Sequence, residues 1–236
     1  MNLCDYLNEM EYAASGVVEL LWHEHSEGEV LRAQIEKLQR VVGENYERAY
    51  FIQQNAEDAD DLMLGVGMHW DTYFDEDKDR HYKSKDLTTL EASLTLREFS
   101  FSALAGTLLQ YAKQGLSASF GTPENWPQGR LIGTQNLKTI ILEARNQSEH
   151  WEEGNPKPRV QKCFDTLAVE KTSDFAEYRT KNLAFKVVSL LEWRSYAEFK
   201  ADLLSMYASD ASYLPNAGSI KSAGVDQAGR DATGEA

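Results

Sequence analysis

Residues 141–154, ILEARNQSEHWEEG, crowd an arginine, an asparagine and a histidine just before a Gly/Pro break. Arg145 is a permanent planar cation, suited to bidentate contact with a phosphate. His150 carries an imidazole, which can pass protons. On a helix, Asn146 and His150 stand four apart and share a face, with Arg145 about 100° round. A cation beside a general acid/base is the minimal equipment for cleaving RNA without a metal. The base takes the 2′-hydroxyl proton, and the cation stabilises the charge building on phosphorus. The same spacing also fits a plain helix end, with an Arg145–Glu149 surface pair and a capping histidine. Lys157, Arg159 and Lys162 come soon after and could bind RNA phosphates, with Trp151 available to stack a base. Equally, the three cations fit a solvated loop, and Trp151 could pack on neighbouring helices.

Other chemistry is less well supported. Asp75, Asp77, Asp79 and Asp86 fall at positions 1, 3, 5 and 12 of a calcium-loop frame, but its sixth position is Arg80 rather than Gly, and its twelfth is not Glu. A solvated charged linker is the better expectation there. His69, Asp71, Asp75 and His81 could ligate a transition metal, yet they lack regular helical spacing. His23-x-His25 is expected as a cationic helix end. Gly65-x-Gly67 lacks the third glycine and the preceding strand of a dinucleotide site, and no phosphate-loop or nucleophile-elbow motif occurs. Neither a metal nor another cofactor is expected.

Composition narrows the field further. Two cysteines in 236 residues, Cys4 and Cys163, exclude a disulfide-stapled scaffold or a zinc-finger framework. The N-terminus is acidic where a signal peptide needs a basic start. The longest uncharged run, residues 99–112, is too short to span a bilayer. A cytoplasmic protein without membrane contact is expected. The net charge of −14 argues against broad nucleic-acid binding, which depends on Lys and Arg. That charge is uneven, however. Residues 1–125 hold 10 Lys+Arg against 23 Asp+Glu, whereas residues 126–186 hold 10 against 8. The segment carrying Arg145 and His150 is locally basic.

The elements that must position these residues read as helices. Ser26-x-x-Glu29 and Thr88-x-x-Glu91 look like capping boxes opening two amphipathic helices. The first carries Leu31, Ile35, Leu38 and Val42. The second carries Leu90, Leu94, Phe101, Leu104, Leu108 and Tyr111, with Arg97 filling the missing position. A third helix over about 134–149 would turn Leu137, Ile140, Ile141 and Ala144 inward. Residues 182–193 are apolar nearly all round, as a central helix should be, and Ser195-x-x-Glu198 caps a last helix ending near Met206. No run alternates as a strand should.

The Arg, polar residue and His, five positions from Arg to His on one helix, resemble the signature of the HEPN family (higher eukaryotes and prokaryotes nucleotide-binding domains). The string ARNQSEHWEEG is similar to the Arg-Asn…His segment of its bacterial members, and the order of helices fits over about 86–207. Composition and spacing divide the chain into an N-terminal helical region at 1–60, an acidic linker at 61–86, a helical bundle at 87–207 and a disordered tail at 208–236, and residues 1–85 lie outside the resemblance. The resemblance implies an all-α, HEPN-like helical bundle at 87–207, to which the N-terminal helical region is additional. It also implies a homodimer whose two motifs face each other, acting as a metal-independent endoribonuclease, as a toxin or an anti-phage effector. Carried over, Arg145 would hold the scissile phosphate, His150 would be the acid/base, and Asn146 would orient them. RNA would be the substrate, with a protein inhibitor or antitoxin as a further partner. In the branch paired with a nucleotidyltransferase antitoxin a Tyr stands two residues after the His; here that position is Glu152. Some family members have lost activity, so a non-catalytic interaction module of the same fold is the alternative.

Overall fold

The computed structural model describes residues 1–54 and 77–208, and in them the chain is all-α. Two long helices, α1 (Leu3–Gln54) and α2 (Asp77–Phe120), pack antiparallel. Along α1 the buried and half-buried residues Ala14, Val18, Leu21, His25, Gly28, Arg32 and Ile35 alternate in steps of four and three, and His25, Gly28 and Arg32 among them meet α2. This is the 3.5-residue seam of a coiled-coil pair. Phe101, Leu108, Ala112 and Leu116 of α2 are buried. Where the helices converge, a Cβ at Gly115 would stand 2.7 Å from the Tyr6 ring, so only glycine lets them approach this closely. Arg97 fills the gap in the α2 stripe by pairing with Glu24 across the seam at 2.7 Å, and Arg32 answers with Glu98 at 2.6 Å.

Neither of the first two expected capping boxes opens a helix. Ser26 and Thr88 stand inside α1 and α2, where every backbone N–H already bonds one turn back and no cap is needed. The start of α1 is capped instead by Asn2, whose Oδ1 accepts the Asp5 N–H at 2.8 Å. His23 and His25 therefore lie mid-helix rather than at an end. The His25 ring packs edge-on against Trp22 and Phe101 and tilted against Phe185, and burial there lowers its pKa. Residues 77–86 belong to α2, so most of the calcium-loop frame is helix rather than loop. Asp75, His69, Asp71 and the Gly65/Gly67 pair lie outside the described residues, as does the tail beyond 208.

After α2 the chain forms a two-residue hairpin, β1 (Leu131–Ile132) with β2 (Gln135–Asn136), which the sequence does not signal. It delays the third helix, α3 (Leu137–His150), to Asn136, whose side chain caps the Thr139 N–H at 2.9 Å. Leu137, Ile140, Ile141 and Ala144 all point inward, as the periodicity requires. A short 3₁₀ turn, Trp151–Glu153, ends at Gly154 with φ 64°, a left-handed conformation that favours glycine. Then α4 (Pro158–Glu170) buries Val160, Cys163, Phe164 and Leu167. A 3₁₀ stretch, Ser173–Arg179, leads to α5 (Ala184–Leu190) and α6 (Tyr196–Ala208). The third expected capping box is formed: Ser195 N–H donates to Glu198 Oε2 at 2.8 Å, and Glu198 N–H to Ser195 Oγ at 3.3 Å.

The N-terminal helix is not a separate body. Leu3, Leu7 and Leu21 belong to the same buried cluster as Phe164, Val188, Trp193 and Phe199. Trp22 Nε1 donates to the Trp193 carbonyl at 2.9 Å, and Lys200 Nζ reaches Asn8 at 2.8 Å. Among the described residues no helix is long and apolar enough to cross a membrane.

Candidate active site

The C-terminal end of α3 brings Arg145, Asn146 and His150 together, because its inner face is pinned by Ile140, Ile141 and Ala144 and its end is released by the 3₁₀ turn. Asn146 and His150 both line one recess of about 160 Å³, walled by Trp151, Lys157, Val160 and Tyr178. Arg145 lies on the flank, facing α2. Its Nε donates to Gln110 Oε1 at 2.7 Å, Nη1 to Asn146 Oδ1 at 3.4 Å, and Nη2 pairs with Glu149 at 2.5 Å. The helix-end pairing of Arg145 with Glu149 is thus formed, while His150 caps nothing: its Nδ1 lies 2.7 Å from Glu153 Oε1.

Asn146 is held from both ends of its amide. Its Nδ2 donates to Glu143 Oε2 at 3.3 Å while its Oδ1 accepts from Arg145. Glu143 is buried one turn earlier on the face toward α4. Burial pushes its carboxyl above the ordinary range, while the Asn146 hydrogen bond and the charges of Arg159 and Lys157 pull it back. The next residue, Gln147, is also buried, and its side chain ties the wall of the site to α3. Nε2 donates to the carbonyls of Tyr178 at 2.9 Å and Lys181 at 2.7 Å, and Oε1 accepts the Leu183 N–H at 3.0 Å.

Lys157 lines the recess, and Arg159 and Lys162 stand after it on the first two turns of α4 rather than in a loop. Pro158, which reads as a break, occupies the first helical position, where its missing N–H costs nothing. Trp151 is half-buried and borders both the recess and a larger groove of about 990 Å³ between α1, α2 and α5. Gln110 and Glu149, two of the three partners of Arg145, lie on the wall of that groove together with His25, Arg32 and Phe101.

Four residues of this neighbourhood escape a reading by motif. Gln110 is 35 positions from Arg145, and only folding brings them together. Glu143 and Gln147 look like the polar face of an amphipathic helix, although both are buried. Glu153 becomes a partner of His150 because the chain continues past α3 as a 3₁₀ turn. The spacing of three to Glu153 is visible in the sequence; the turn that exploits it is not. Among the described residues no cluster of three or more His, Cys, Asp or Glu is placed to hold a metal. Compared with models of known families, with curated proteins and with solved structures, the chain gives no match.

Proposed function

We propose that this chain is a metal-independent endoribonuclease of the HEPN type, working as a homodimer with two α3 ends facing one cleft, and serving as a toxin or anti-phage effector. The observation that carries this is the convergence of Asn146 and His150 in one recess, with the Arg145 guanidinium on its flank. In the proposed reaction the imidazole of His150 takes the 2′-hydroxyl proton of the substrate RNA. The 2′-oxygen bonds to phosphorus, the P–O5′ bond breaks, and the 5′-oxygen leaves with a proton from water. Arg145 offsets the charge on the non-bridging oxygens. Lys157 lines the recess and Arg159 follows it on α4, for neighbouring phosphates, and Trp151 borders the recess, where it could stack a base. The cytoplasm is the compartment this reading requires.

The test is incubation of the full chain with mixed RNA in EDTA and identification of the ends produced. Cleavage with 2′,3′-cyclic phosphate ends is expected, and Arg145→Ala and His150→Ala should each slow it by about 100-fold or more. If either variant cuts as fast as the parent, the assignment fails.

One observation favours the second reading, a non-catalytic interaction module. All three Arg145 nitrogens are engaged by Gln110, Asn146 and Glu149 within the single chain. A phosphate must compete with Glu149 for that edge. A folded, RNA-inert parent whose Arg145→Ala variant is also inert would select the module.

A further inference from the structure

Neutral imidazole exists as two tautomers, and which nitrogen is bare is decided by what the other one bonds to. His150 has one polar contact, its Nδ1 at 2.7 Å from Glu153 Oε1, and its Nε2 has none among the described residues. A carboxylate only accepts, so the contact requires the proton on Nδ1. The chain leaves α3 at His150, tightens into the Trp151–Glu153 turn, and reverses at Gly154. The Gly154 N–H closes that turn on the Trp151 carbonyl at 3.3 Å. The turn sets Glu153 three residues after His150, on the same side.

We infer that Glu153 is a positioning residue for His150, holding its neutral ring as the Nδ1–H tautomer with Nε2 bare for proton transfer. Functionally this rests on the ribonuclease reading, since the bare Nε2 is the atom that would take the 2′-hydroxyl proton. The tautomer itself does not depend on that reading. It also gives the run from His150 to Gly154 a purpose, with the glycine reversing the chain immediately after the carboxylate. Glu149 does not compete for the same role, because it is committed to Arg145.

The experiment uses the full chain labelled with ¹⁵N, at a pH of about 9, where an ordinary imidazole is neutral. Two-bond ¹H–¹⁵N spectra distinguish protonated from bare ring nitrogens, and the His150 signals are those lost in His150→Gln. The expected result is a parent His150 with Nδ1 protonated, and a switch toward the Nε2–H form in Glu153→Ala. In the RNA cleavage assay Glu153→Ala should lose about 10- to 100-fold in kcat with KM little changed, as expected for removing a group that orients an imidazole without touching the substrate. A parent His150 protonated on Nε2, or a tautomer unchanged by Glu153→Ala, overturns the inference. A parent that shows the Nδ1–H form but leaves RNA intact overturns the ribonuclease reading and leaves the positioning role of Glu153 standing.

Discussion

Gln147 is the residue whose replacement tests most directly how the wall of the site is held. It is 3% exposed, and its one amide bonds three backbone groups, at Tyr178, Lys181 and Leu183. Gln147→Leu keeps nearly the same bulk and removes all three bonds. Each bond contributes about 1 kcal/mol net, and an orphaned buried N–H such as that of Leu183 costs about 1–3 kcal/mol. Because a carbonyl with two lone pairs tolerates a missing bond better than an orphaned N–H, we expect a loss of about 3 kcal/mol rather than the full sum. Equilibrium unfolding in urea measures this. With a slope of about 2 kcal/mol per molar, the midpoint should fall by about 1.5 M. The Leu183 amide should also lose its protection against hydrogen exchange. A midpoint within about 0.3 M of the parent, with the Leu183 amide still protected, would refute the account of Gln147 as the tie between α3 and residues 178–183.

Gly115→Ala should destabilise the α1–α2 pair by about 1–3 kcal/mol, because the added methyl meets the Tyr6 ring at 2.7 Å and both helices must shift; thermal unfolding reads the loss. Under native conditions at a pH of about 8, a thiol reagent should label Cys4 and spare Cys163. Cys4 is exposed, whereas burial pushes the Cys163 thiol up to about 12; equal labelling of both would contradict the packing of α4. Glu143→Gln should raise stability at neutral pH and leave it unchanged in acid. The folded carboxyl lies above its ordinary value, so the parent is most favoured below the unfolded glutamate pKa and loses that advantage as pH rises through the folded one. Denaturation curves of both proteins at about pH 4 and pH 8 give the comparison.

The legible parts of the fold are those written in local spacing. The inward face of α3 comes from residues three and four apart, and the Ser195–Glu198 box is a reciprocal bond between residues three apart, so both are determined within one turn. The boxes at Ser26 and Thr88 mislead because the same local pattern occurs inside a helix, where the seam with a distant partner keeps the chain helical. The 3.5-residue alternation from Ala14 to Ile35 runs straight through Ser26 and contains His25, Gly28 and Arg32, which do not look apolar. Those three are tolerated because each meets a specific partner on α2 or α5: rings for His25, side chains for Gly28, and Glu98 for Arg32. For α4 the obstacle is Pro158, because a proline that stops one helix can equally open the next, and the residues from Arg159 onward decide which. In the site, Glu149 is legible as the residue four after Arg145. Gln110 is not, since a contact across 35 positions exists only once α2 and α3 have packed.

The charges around the end of α3 are sorted by element, and this bears on how RNA would meet the proposed site. The acids Glu149, Glu152 and Glu153 occupy the last turn of α3 and the 3₁₀ turn after it. The cations Lys157, Arg159 and Lys162 occupy the start of α4, where the N-terminal end of the helix dipole adds to their field. The recess that holds Asn146 and His150 is lined by both kinds of charge, Glu153 and Lys157. A strand laid across the α4 start gains three cations, whereas one laid along the 3₁₀ turn meets three carboxylates. The α4 side is therefore the favoured approach, and an overall charge of −14 is compatible with RNA only along that edge. In the proposed reaction a phosphate would reach the Nη2 edge of Arg145 only by taking the place of Glu149. The acid on Glu153 and the acid on Glu149 thus do opposite things to the two residues they touch: one orients His150 for use, and the other occupies the group that a phosphate would need.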